Sequence, residues 1–125
     1  MYGSNTLVDA VNQASSQWKA AFNAHDAKGC AAQYEEDAVI HAKPFGDFEG
    51  RSEIQAFWQQ IMDNGLSDVE YINPSLEVID DTTVKLQSEW RMNNAKGVIT
   101  NEVWVRQSDG SMKLRLDEFE AIDAS

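Results

Sequence analysis

The most constraining feature of the sequence is the stretch Val98–Arg106, which reads as a β-strand with apolar residues on both faces. A single acid, Glu102, shares one of those faces with Trp104 and Thr100. Strands that are apolar on both sides are covered on both sides, so this strand is expected near the centre of a curved sheet. A carboxylate placed among aromatic residues in such a strand is the clearest indication of chemistry in the chain.

The spacing of apolar residues changes once along the chain. In the first half they recur at every third or fourth position, which predicts three helices capped by Thr6, Asp26 and Ser52. In the second half they alternate, most cleanly from Val84 to Met92, which predicts an antiparallel meander. Helices followed by strands are typical of an α+β fold, here a single domain over residues 1–125, with three helices packed on one face of the sheet.

Charge and composition exclude several classes of partner. The net charge is −11, from 21 acids against 10 Lys and Arg, and no basic stripe is present, so neither nucleic acid nor an anionic membrane is an expected partner. No apolar run approaches the roughly 18–20 residues of a membrane helix. The single cysteine, Cys30, and an opening segment without a signal-peptide pattern favour the cytoplasm.

The last hairpin decides which side chains face inward. A two-residue turn at Asp109-Gly110 would place Glu102 opposite Asp117 and turn Arg115, Asp117 and Phe119 inward. One more residue in the loop would exchange the two faces, because a register shift of one inverts every side chain. On the first reading Ile99, Val103, Val105, Met112, Leu114 and Leu116 form an outer apolar face, for which a second copy of the chain in a symmetric homodimer is the expected cover.

Several motifs, taken in order, resemble a known family. Trp18–Asp26 resembles the first-helix signature of the nuclear transport factor 2-like superfamily, in its SnoaL-like and ketosteroid-isomerase-like branch. Glu36–Ile40 is similar to the strand that follows, Gly50–Phe57 to the opening of the third helix, and Gln107–Gly110 with Glu118-Phe119 to the last hairpin. The resemblance implies three helices on a strongly bent antiparallel sheet, enclosing a cone-shaped cavity and often forming a dimer.

The resemblance also implies which residues to compare with ketosteroid isomerase, which uses an Asp base together with a Tyr and a protonated acid. Trp18 stands where that Tyr would be, and Glu102 stands at the protonated acid. The position of the base falls at about Ala42 or Lys43. Only one of the three groups is therefore retained in kind, which argues against steroid isomerisation itself.

Three residues are predicted to be catalytic. Aromatic surroundings would raise the pKa of Glu102 and suit it to general acid catalysis. Asp117 would share a proton with it, and His41, on a short strand over Ala38–Ala42, would act as a proton shuttle. The alternatives are a structural Glu102 bonded to neighbouring side chains, a packing His41, and an outward Asp117. The predicted ligand-binding residues are Trp18, Tyr34, Trp58, Met62, Trp90, Trp104, Arg115 and Phe119.

The pattern as a whole favours a protein that binds a small apolar organic molecule and performs cofactor-free acid–base isomerisation or cyclisation. No metal-ligand spacing and no Gly-rich phosphate loop is present, so neither a metal nor a cofactor is expected. Two alternatives stay open at this point. One is a non-catalytic dimeric ligand-binding or association domain, and the other is epoxide-hydrolase-like water activation by Glu102, Asp117 and Arg115.

Overall fold

The computed structural model describes residues 4–93 and 95–123 as three helices and six strands. The elements, in chain order, are α1 Ser4–Asn23, α2 Ala27–Ala31, β1 Tyr34–Lys43, β2 Gly46–Glu49, α3 Arg51–Asp63, β3 Glu70–Val78, β4 Thr83–Arg91, β5 Lys96–Arg106 and β6 Met112–Asp123. The opening residues Met1–Gly3, where a signal peptide is not expected, lie outside the described ranges. The α+β fold class is confirmed.

The six strands form one sheet in the order β2-β1-β6-β5-β4-β3. The prediction of a purely antiparallel sheet is wrong in one respect, because β1 runs parallel to β6. The chain forms the β1–β2 hairpin between α2 and α3, where only a short strand was predicted. β5 occupies an interior position between β4 and β6, as its apolar composition predicts.

The helix boundaries follow local chemistry, with two corrections to the predicted caps. Asp26 caps α2 as predicted, accepting from the Gly29 N–H at 3.0 Å. Thr6 lies inside α1, which is already helical at Ser4. Gly50, with φ of 85°, rather than Ser52, precedes the first turn of α3. A positive φ is accessible to glycine without strain, so Gly50 can turn the chain directly from β2 into the helix.

Thr100 is an extra residue in β5 with respect to both neighbouring strands. On the β4 side, Leu86 opposes Glu102 and Ser88 opposes Ile99; on the β6 side, Phe119 also opposes Ile99. Such a bulge reverses the facing of the residues on either side of it and bends the strand. Ile99 is therefore buried and Thr100 exposed, which corrects the predicted facing of both residues.

Arg115 is the extra residue in β6. Glu102 opposes Asp117 and Val103 opposes Leu116, but the next pair is Trp104 with Leu114. The loop at Asp109-Gly110 has three residues, closed by a 2.7 Å bond from the Gln107 N–H to the Ser111 carbonyl, and Gly110 has φ of 89°. The longer loop and the bulge offset each other. Glu102 thus faces Asp117 as predicted although the predicted turn is wrong.

The same bulge overturns the predicted composition of the outer sheet face. Met112 and Leu114 are buried inside, at 3% and 1% exposure, and Arg115 points outward. Ile99 also points inward. Val103 and Leu116 remain on the outer face as a half-buried pair. The apolar face from which the homodimer was inferred is therefore smaller than predicted, and the dimer itself stays a prediction.

The buried side chains of the helices and of the inner sheet face form one hydrophobic cluster. Trp90 lies in this cluster opposite Gly97, the residue it pairs with on β5. A methyl group on Gly97 would overlap the Glu120 carbonyl oxygen and come within 2.6 Å of the Trp90 ring. Glycine at this position is what allows the indole to lie flat against the strand.

We expect Gly97→Ala to lower the free energy of unfolding by about 1–3 kcal/mol, because strand pairing or the Trp90 ring must shift to admit the methyl group. Ser75→Ala, at an exposed position of β3, is the control and should stay within about 0.5 kcal/mol of the wild type. Urea unfolding measures both variants. Equal urea midpoints for Gly97→Ala and Ser75→Ala would show that the space between Gly97 and Trp90 admits a methyl group.

Candidate active site

The site is built around two carboxyl groups on adjacent strands. Glu102 and Asp117 oppose each other across β5 and β6, and they are only 2% and 3% exposed. Burying carboxyl groups without a cation is unfavourable unless they are protonated or hydrogen-bonded. The arrangement therefore requires either shared protons or a full set of donors.

Glu102 has a donor on each of its oxygens. The Trp104 indole Nε1–H donates to Oε1 at 2.9 Å, and the Tyr71 hydroxyl donates to Oε2 at 3.0 Å. Tyr71 lies on β3 and Trp104 on β5, so the two donors reach Glu102 from different strands. Both hydrogen bonds favour the ionised form of this carboxyl.

Asp117 has one protein donor. The Tyr34 hydroxyl, at the start of β1, donates to Oδ2 at 2.7 Å and accepts from the Trp58 indole at 3.3 Å. The other oxygen, Oδ1, is buried and has no hydrogen-bond partner in the described part of the chain. Burial and the neighbouring acids keep the pKa of Tyr34 well above its ordinary value, so its hydroxyl remains a donor.

Burial is the main cause of the shifted acidity of both carboxyl groups. It raises the pKa of Glu102 to about 8, with the charge of Asp117 as the next cause, and it raises the pKa of Asp117 to about 7. Two interacting acids titrate as a pair, so one proton leaves near the lower of these values and the other near the higher. Once the pair has lost one proton, the two donors to Glu102 favour this group as the ionised partner, and the unpartnered Oδ1 of Asp117 is the atom available for the remaining proton.

The cavity beside the carboxyl pair is small. Its free volume is about 20 Å³, which is room for about one water molecule or one substrate oxygen. The cone-shaped hollow expected from the sequence is therefore mostly filled by side chains. Its lining consists of Trp18, Trp58, Val69, Tyr71, Trp90, Met92, Ile99, Glu102, Asp117 and Phe119.

Most of the predicted site residues lie at this cavity. Trp18, Trp58, Trp90, Phe119 and the two acids line it. Tyr34 and Trp104 do not line the cavity, but they donate hydrogen bonds to the two carboxyl groups that do. Met62 is buried in the core but is not a lining residue.

Two predicted site residues lie elsewhere. Arg115 points outward, where its guanidinium pairs with Glu35 at 2.8 Å, so the prediction that it faces the cavity is wrong. His41 is half-exposed, bonds to Asp47 at 2.8 Å, and alternates with the buried Ile40 and Ala42. Its side chain is therefore on the outer sheet face, away from the carboxyl pair. The water-activating arrangement of Glu102, Asp117 and Arg115 is not formed.

Tyr71 is the main residue that the sequence analysis missed. It lies beside the irregularity of β3 between Ile72 and Ser75, which obscured its facing, and it pairs with Trp90 in the register of β3 and β4. The alternation of β4 already predicts that Trp90 faces inward, and a residue directly opposite it on the next strand must face inward too. Lys19 of α1 lies 4.8 Å above the Tyr71 ring, which packs the helix against this strand.

Neither a metal cluster nor a membrane-spanning helix occurs in the part of the chain that the structure describes. Within residues 4–93 and 95–123, no three His, Cys, Asp or Glu side chains come together as metal ligands would. Over the same ranges no helix has both the length and the apolar character needed to cross a bilayer.

The fold and the sequence together define the family. A model of the SnoaL-like domain matches residues 16–113, and the chain belongs to this family. The resemblance noted from the sequence motifs is thereby confirmed. No curated protein shows significant sequence similarity to the chain.

Solved structures share the fold at low sequence identity. Aln2 from a Streptomyces species has a TM-score of 0.82 at 18% identity, over 96% of this chain and 94% of its own. A ketosteroid isomerase-like protein from Erwinia carotovora atroseptica has a TM-score of 0.79 at 14% identity, over 92% and 95%. A candidate scytalone dehydratase from Novosphingobium aromaticivorans has a TM-score of 0.79 at 16% identity, over 94% and 85%. At these identities the likeness establishes the nuclear transport factor 2-like fold alone.

The raised pKa values of the two carboxyl groups predict an unusual dependence of stability on pH. Unfolded carboxyl groups release their protons near pH 4, whereas this pair retains protons in the folded state until its raised pKa values of about 7 and about 8. Between those limits the folded state holds more protons on this pair than the unfolded state does, so the pair's contribution to stability is greatest below about pH 4 and falls as pH rises. The expected slope is about 1.4 kcal/mol per pH unit for each retained proton.

Urea unfolding at a series of pH values measures this slope. Glu102→Gln should flatten it, because one retained proton is lost. Glu89→Gln removes the same charge from an exposed position of β4 and should leave the slope unchanged, which separates the buried pair from general repulsion in an acidic protein. A slope equally steep in both variants would contradict proton retention by Glu102.

Proposed function

We propose that this SnoaL-like protein catalyses cofactor-free proton transfer on a small, mostly apolar organic carbonyl compound, as an isomerase or a lyase. The observation that carries the proposal is the pair of opposed, buried carboxyl groups, Glu102 and Asp117, both lining one cavity. One ionised and one protonated acid side by side supply the base and the acid that such reactions need.

Each carboxyl group has a distinct part in the proposed reaction. Ionised Glu102 removes a proton from the carbon next to the substrate carbonyl, and the electron pair of that C–H bond moves toward the carbonyl oxygen. Asp117 gives its proton to that oxygen. Glu102 then gives the proton it took to another carbon while the enol oxygen returns its proton to Asp117, which completes an isomerisation. In a dehydration Glu102 gives that proton to a β-hydroxyl, which leaves as water while the enol oxygen returns its proton to Asp117.

The surrounding side chains suit an apolar substrate body. Half of the lining residues are aromatic, and Tyr71, Met92 and Phe119 are the half-buried members that reach solvent. A substrate larger than a single oxygen atom requires the flexible side chain of Met92 to move outward, since Tyr71 is bonded to Glu102 and Phe119 is packed on Trp58. The reacting carbonyl then enters the space beside the acids while the apolar remainder replaces water against the rings.

Deuterium exchange tests the proposal without knowledge of the natural substrate. Small cyclic ketones are incubated with the protein in D₂O, and loss of the α-proton signal is followed by NMR. Proton abstraction by Glu102 predicts exchange faster than in buffer for at least one ketone that also raises the melting temperature. Ketones that raise the melting temperature but never exchange would contradict catalysis.

The small cavity favours a second candidate, a non-catalytic ligand-binding or association domain, as a homodimer through the outer sheet face. In that case Glu102 and Asp117 are structural groups satisfied by Tyr71, Trp104 and Tyr34. Ligand binding without exchange, combined with a dimer in sedimentation, would favour this alternative over the enzyme.

A further inference from the structure

Three buried polar atoms that have no partner within the described residues belong to side chains that line the same cavity. They are the indole Nε1 atoms of Trp18 and Trp90 and the Oδ1 atom of Asp117. A buried donor or acceptor left without a partner is unfavourable, and all three atoms belong to residues around one small space, so a ligand there could satisfy them. The other two tryptophans differ, since Trp58 donates to Tyr34 and Trp104 to Glu102.

Ring contacts fix the orientation of both indoles. Trp18 stacks on Phe22 at 5.4 Å and meets Trp58 edge-on at 5.0 Å. Trp90 meets Phe119 edge-on at 6.2 Å and lies against the bare backbone of Gly97. Neither ring can turn to find another acceptor without disturbing these neighbours, so each N–H direction is set before any ligand arrives.

We infer that the Trp18 and Trp90 N–H groups and Asp117 form an oxygen-binding site that selects substrates by their carbonyl group. An indole N–H is a donor only, so two of them demand an acceptor. The free volume suits one oxygen atom. A carbonyl oxygen can accept from both indoles and from protonated Asp117 Oδ1, whereas an alkene or a protonated amine would leave the donors unsatisfied.

The inference deepens the proposed function and rests on it for the reaction. Negative charge develops on the carbonyl oxygen when Glu102 removes the neighbouring proton. Fixed N–H donors aimed at that oxygen stabilise the charge without giving up a proton themselves, and removal of one such donor typically costs about 10²–10³-fold in rate. Asp117 remains the only group of the three that transfers a proton.

The test uses the four indole N–H signals of the unmodified protein in ¹H–¹⁵N spectra, assigned through single Trp→Phe variants. Cyclopentanone is the probe, and methylenecyclopentane, which replaces the oxygen by a CH₂ group, is the matched control. We expect the ketone to move the Trp18 and Trp90 signals downfield while those of Trp58 and Trp104, which already have acceptors, move little. The hydrocarbon should move neither of the first two downfield.

Two results would overturn the inference. One is a ketone that leaves the Trp18 and Trp90 signals in place, and the other is an equal downfield shift with methylenecyclopentane. The outcome is separable from that of the proposed reaction. Indole shifts without deuterium exchange would retain the oxygen site and reject the catalysis. Deuterium exchange without indole shifts would retain the catalysis and reject the oxygen site.

Discussion

Glu102→Gln is expected to reduce ketone deuterium exchange by about 10²–10⁴-fold, because the amide cannot accept the proton that the carboxylate removes. The variant should fold, since its amide oxygen still accepts from one donor and the Tyr71 hydroxyl can rotate to accept from the amide nitrogen. Asp117→Asn should have a comparable effect by removing the acid that protonates the carbonyl oxygen.

The control for both variants is Glu89→Gln, which removes an acid from an exposed position of β4. It should exchange ketones at the wild-type rate. Melting temperatures measured with and without ketone show whether each variant still binds. A Glu102→Gln protein that binds ketone and exchanges it as fast as Glu89→Gln would remove Glu102 from the mechanism.

Phe22→Ala is expected to lower the free energy of unfolding by about 3–5 kcal/mol. Phe22 is fully buried on α1, stacked on Trp18 and edge-on to Trp58 at 5.7 Å. Its removal leaves a void beneath the two indoles that the rigid sheet cannot close. Because a domain of this size is stabilised by only about 5–15 kcal/mol, the loss is a large fraction of the whole.

Two further variants calibrate that effect in urea unfolding. Phe22→Leu fills most of the void and should cost about 1–2 kcal/mol. Phe45→Ala removes a ring that is 47% exposed and should cost less than about 1 kcal/mol. If Phe22→Ala were no more destabilising than Phe45→Ala, the aromatic cluster would not be the rigid support that the oxygen-binding site requires.

The sequence was sufficient for the parts of the fold that depend on periodicity. Helical spacing in the first half and alternation in the second predict the three helices and the β4–β6 meander. The opposition of Glu102 and Asp117 was also predicted, although by a two-residue turn that does not form. That agreement is partly fortuitous, because the Arg115 bulge offsets the extra loop residue.

The bulges at Thr100 and Arg115 were beyond the reach of the sequence, and they account for most of the corrections. A bulge adds one residue without a compositional signature, yet it exchanges the two faces of the strand beyond it. Arg115, predicted to line the cavity, therefore bonds to Glu35 outside it. Met112 and Leu114, predicted outside, enter the core for the same reason.

The spacing of residues along the chain also could not predict the volume of the cavity. The count of aromatic residues predicted a hollow, but the rings fill most of it themselves. How closely Trp18, Trp58 and Phe119 pack depends on the bend of the sheet, and the position of Trp90 depends on the close approach that Gly97 allows. Such distances follow from three-dimensional packing and leave no pattern along the chain.

Titration of the two carboxyl carbons is the most direct measurement of the central claim, a proton shared between Glu102 and Asp117. In ¹³C-labelled protein the Glu102 Cδ and Asp117 Cγ signals are followed from acid to alkaline pH, and they are assigned through Glu102→Gln and Asp117→Asn. We predict two linked transitions with apparent pKa values of about 7 and about 8, felt by both carbons. Two independent transitions near pH 4, the ordinary value for carboxyl groups, would contradict the account.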